Sequence, residues 1–122
     1  MEAKELTISG QFLTLDQAKE LQELGVDIYG NFEIDIDDNG FETIEKVGTF
    51  ASDTFEYYKK SIPTLSVAEM LEMLPDYIVF SSYKNEWNII CNREDNEFAT
   101  STVLLRDSLF EMIKWLKQNK MI

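Results

Sequence analysis

Phe32, Ile34 and Ile36 alternate with Glu33, Asp35 and Asp37, and the run leads directly into Asp38-Asn39-Gly40. Alternation with period two marks a strand with one buried face, and a polar triplet ending in glycine marks a tight turn. Phe41 to Val47 is the returning strand. A hairpin closed this tightly requires antiparallel pairing, which argues against a fold built from regular β-α alternation.

Helical signals lie on both sides of this hairpin. Thr14 and Gln17 have capping-box spacing, and Leu15, Ala18, Leu21 and Leu24 recur at helical intervals until Gly25, which predicts a helix over 14–24. Ser66 and Glu69 repeat the spacing ahead of Val67, Met70, Leu71 and Leu74, in a second helix that Pro75 ends. Tyr77 to Tyr83 and Trp87 to Asn92 flank Lys84-Asn85-Glu86 as a second hairpin rich in aromatic and β-branched residues. From about Ser101 or Thr102 a third helix begins, with Leu105, Leu109, Met112, Ile113 and Leu116 on one face. Phe55 to Tyr58 reads as a further short strand. The expected fold is α+β, an antiparallel sheet of two hairpins with four to five strands packed by three helices. A chain of 122 residues fits one domain, with disorder expected in about the first ten residues.

The chain holds 23 acidic and 11 basic residues and no histidine, so its net charge of −12 holds across neutral pH. Only 104–122 is net positive. Such a charge repels nucleic acid, and no apolar run approaches the length of a membrane span. The stretch MEAKELTISG lacks a basic start and an apolar signal run, and a lone cysteine, Cys91, forms no internal disulfide, so the cytoplasm is the expected compartment.

Catalytic motifs are hard to find. Without histidine there is no Ser-His-Asp triad, Cys-His dyad or His-based zinc site, and the five glycines form no phosphate-binding loop. Asp35 to Gly40 begins like a calcium loop, but Glu42 stands where an apolar residue belongs and Lys46 where a closing glutamate is needed. The expectation is a non-enzymatic protein without cofactors. A carboxylate-and-metal enzyme is the surviving catalytic alternative. Cys91 sits on an apolar strand with Trp87 and Ile89 on its face, which favours an inert buried thiol. Phe50, Phe55, Tyr57 and Tyr58 lack the basic groove of a single-strand binder and read as core or protein contacts.

Two candidate surfaces follow. Asp35, Asp37, Asp38, Glu42 and Glu45 are candidates for an acidic patch that engages a basic protein partner, against the simpler reading of a solvated hairpin. Leu104 and Trp115 lie together beside the main stripe of the third helix, as a self-association face for a homodimer or as extra surface covered by the sheet.

The segments Leu13–Asp27, Ile62–Pro75 and Leu109–Asn119 together resemble a family of small uncharacterised proteins carried by bacterial phages and prophages. The resemblance implies a phage or mobile-element accessory protein in the cytoplasm of a bacterial host. Small acidic proteins in that setting include inhibitors of host nucleic-acid defence systems and immunity proteins against nuclease toxins.

Overall fold

The structure, a computed structural model, describes residues 10–28, 31–47 and 60–122. The expected strand at Phe55–Tyr58, the aromatic group at Phe50, Phe55, Tyr57 and Tyr58, and the first nine residues lie outside them. The fold is α+β, and the described residues form three helices and two antiparallel three-stranded sheets in the order α-β-β-β-α-β-β-β-α. The described residues fall into two compact units: one within Thr14–Leu65, and Ser66–Ile122 together with residues 10–13.

In the first unit, α1 (Leu15–Glu23) has the predicted capping box. The Thr14 hydroxyl accepts from the Gln17 amide at 3.2 Å, and the Gln17 side chain accepts from the Thr14 amide at 3.0 Å. Gly25 closes the helix at φ +88°, where a Cβ is unfavourable. Its amide reaches the Gln22 carbonyl while that of Val26 reaches Leu21, satisfying the last turn in a Schellman motif. Val26, Leu21 and Ala18 are all buried.

β1 (Phe32–Ile36) lies between β2 (Glu42–Lys46) and β3 (Lys60–Thr64). Directly paired residues share a face. Ile34, Ile44 and Ile62 are therefore aligned on one side, with Ile34 fully buried, and α1 packs against β3. Glu33, Asp35, Thr43, Glu45, Ser61 and Pro63 occupy the other side. Pro63 fits because β3 is an edge strand, where a missing N–H breaks no ladder.

The second unit begins with a bridge between Phe12 and Ser66 that leads into α2 (Val67–Met73). Ser66 and Glu69 form the predicted capping box, with bonds of 3.0 and 3.1 Å, and Met70 is buried beneath it. Leu71, expected on the buried arc, is exposed. A helix this short packs only a narrow face, and α2 uses it against α3 (Leu105–Gln118).

β4 (Val79–Tyr83) and β5 (Glu86–Arg93) join through Lys84 and Asn85 at φ +50° and +64°, a pair of left-handed residues suited to a two-residue hairpin. β6 (Asn96–Ala99) then pairs with β5. This sixth strand was not predicted, because its turn at Glu94-Asp95 has neither glycine nor proline and the strand itself is only four residues long. Glu94 adopts φ +55° without the usual sequence signal.

The third helix starts at Leu105, later than Ser101 or Thr102. Thr102 is bridged to Trp87 in extended conformation, and its hydroxyl donates to the Leu104 carbonyl at 2.7 Å. Leu109, Met112, Ile113 and Leu116 are fully buried against the sheet and α2, while Leu105 is half-buried. Ser108 is buried among them because its hydroxyl donates to the Trp87 carbonyl at 3.0 Å.

Candidate functional site

The polar face of the β2-β1-β3 sheet gathers Glu33, Asp35 and Glu45. Asp35, at its centre, is only 3% exposed and accepts a hydrogen bond from the Ser61 hydroxyl at 2.8 Å. Glu33 lies two positions away on the same face, and Glu45 is paired with Glu33 across the β1-β2 ladder. Burial raises the Glu33 pKa, and the charge of Asp35, a side-chain hydrogen bond to it, and the charge of Glu45 raise it further. Burial and the neighbouring acids both disfavour the charged form, so Glu33 holds its proton to higher pH than a free glutamate. Thr43 stands opposite Asp35, and its hydroxyl oxygen is buried without a hydrogen-bond partner among the described residues. No residue in register on this face is basic.

The five acids expected to form one patch are divided by this geometry. Asp35 and Glu45 share the polar face, where they are joined by Glu33. Asp35 is too buried to be a contact residue. Asp37 belongs to the turn: one carboxylate oxygen accepts from the Asn39 and Phe41 amides at 2.8 and 2.9 Å. Asp38 is exposed at the tip. Glu42 pairs with Ile36 and therefore lies on the opposite side of the sheet. The two-residue period already placed Glu33 with Asp35, and was the signal available for including it.

Asp35 and Asp37, first and third in the calcium-like run, are directed to different hydrogen bonds. No group of three or more metal-binding side chains occurs among the described residues. Cys91 is fully buried, and burial pushes its thiol pKa up against a smaller opposing effect of Arg93. A shallow pocket of about 290 Å³ beside it contains Glu97 as its one ionisable side chain apart from that thiol.

Leu104 and Trp115, proposed together from the third helix, have different surroundings. Trp115 stacks on Phe98 with ring centroids 5.0 Å apart and planes within 8°, so the sheet covers it. Leu104 is exposed next to the still more exposed Val103, before the helix begins.

No helix of the described residues is long and apolar enough to cross a membrane. Comparison with known protein families, curated proteins and solved structures finds no match.

Proposed function

We propose that this is a non-enzymatic acidic binding protein that engages a basic protein partner through the polar face of its β2-β1-β3 sheet. One observation carries the reading: Glu33, Asp35 and Glu45 are held together with no basic residue in register to neutralise them. Mutual repulsion among these carboxyls is relieved when an external cation arrives, so a guanidinium or ammonium group gains more here than at an isolated surface acid. Glu33 and Glu45 make the contact, and buried Asp35 strengthens the local field. The net charge of −12 adds long-range attraction for a basic partner and repulsion of nucleic acid. In the phage or prophage setting implied by the sequence resemblance, the partner is a basic nucleic-acid enzyme of the bacterial host cytoplasm.

An arginine-rich peptide serves as the probe, with amide shifts followed by two-dimensional NMR at low and physiological salt. Shifts concentrated at Glu33, Thr43, Glu45 and Ser61, and lost in the folded double variant Glu33→Gln/Glu45→Gln, are the expected result. They should weaken as the screening length falls to about 8 Å. Shifts spread evenly over the exposed carboxylates would reduce this face to a solubilising surface.

A further inference from the structure

Among the described residues, strand β4 has an open hydrogen-bonding edge whose uncharged sequence matches a second copy of itself. It is the outer strand of its sheet, and all five residues are exposed, with Val79 at 57%, Phe80 at 40% and Tyr83 at 68%. Among the described residues no strand lies along its other side.

The direction of the free groups follows from β5. Trp87 exchanges both backbone bonds with Thr102, and Ile89 accepts from the Thr100 amide and donates to its hydroxyl. Both residues thus point their backbone groups away from β4. Phe80 and Ser82, which face Ile89 and Trp87, are in non-hydrogen-bonded pairs, so Val79, Ser81 and Tyr83 hold β4 to β5. The N–H and C=O groups of Phe80 and Ser82 project from the open edge.

Edge strands are usually protected by charge or proline. β2 carries Glu42, Glu45 and Lys46, β3 carries Lys60 and Pro63, and β6 carries Glu97. β4 reads Val-Phe-Ser-Ser-Tyr and has neither.

We propose that β4 pairs antiparallel with β4 of a second copy about a two-fold axis at Ser81, joining two three-stranded sheets into one of six strands. In this register all five residues overlap. Phe80 of each copy faces Ser82 of the other, so the outward groups satisfy one another with about four hydrogen bonds. Val79 faces Tyr83 twice, an aromatic and β-branched pairing. The strand itself is uncharged, so the contact opposes no acids despite the overall net charge. A five-residue edge buries less than a standard interface, which places the dimer at roughly micromolar to millimolar dissociation constants.

Sedimentation velocity over a concentration series tests this, together with Ser82→Pro, which removes an outward N–H without touching the β5 ladder, and Ser81→Lys, which sets two ammonium groups opposite each other at the axis. The parent should show a monomer–dimer equilibrium, and each folded variant should weaken it by at least about tenfold. Oxidised Ser81→Cys should give a disulfide-linked dimer, whereas Val79→Cys, which faces Tyr83, should not. A parent that stays monomeric to millimolar concentration would overturn the proposal. So would a dimer indifferent to both edge variants, or one cross-linked through Val79→Cys rather than Ser81→Cys.

Discussion

Glu33 and Asp35 stand two positions apart on the same face of one strand, where burial first, and then the neighbouring Asp35 carboxyl, raise the Glu33 pKa above its ordinary value. A carboxyl with its folded pKa above the unfolded value binds protons better in the native state. Its contribution to stability is therefore present at low pH and lost as pH rises from about the ordinary value of 4.5 through the folded value. Glu33→Gln removes this loss. Urea unfolding of parent and variant should show the variant's relative midpoint rising between pH 4 and pH 7; a constant difference would mean that the carboxyl pair is not coupled.

Asp37 is a turn residue. Removing its carboxylate in Asp37→Ala leaves the Asn39 and Phe41 amides without their acceptor and should cost about 1–2 kcal/mol, measured by chemical denaturation. Asp38→Ala at the exposed tip should stay within about 0.5 kcal/mol. Equal losses at the two positions would contradict the assignment of Asp37 to the turn.

Gly25 ends α1 in a left-handed conformation, so Gly25→Ala should destabilise the protein by about 1 kcal/mol through backbone strain. The far-ultraviolet circular dichroism at low temperature should be unchanged, with the loss appearing in the thermal midpoint.

Leu109 is fully buried in the α3 stripe, and Leu109→Ala should cost about 2–5 kcal/mol through lost burial and the cavity left behind. Lys117→Ala, at a half-buried position on the same helix, should cost little. Equal urea midpoints for Leu109→Ala and the parent would show that the stripe does not face the core.

Local chemistry alone determined much of the architecture. Thr14 with Gln17 and Ser66 with Glu69 start their helices through bonds only three residues long, and Gly25 and Pro75 end them by backbone geometry. Alternation through Phe32–Ile36 and the stripe from Leu109 to Leu116 identified the buried faces, because side-chain direction within one element depends on its period. β6 escaped notice because its turn lacks the usual residues, and the late start of α3 depends on the distant bridge between Thr102 and Trp87.

The division of the acidic hairpin and the pairing of Trp115 with Phe98 were decided only by the tertiary structure. Sequence placed Asp35, Asp37, Asp38, Glu42 and Glu45 within eleven positions, but strand register assigns Glu42 and Glu45 to opposite faces and brings Glu33 beside Glu45. Whether β4 is an inner or an outer strand also lies beyond its own five residues, since edge position depends on what pairs beside it. Period and capping are set by bonds within a few residues, whereas burial, register and the company of each charge are set by segments that meet only when the chain folds.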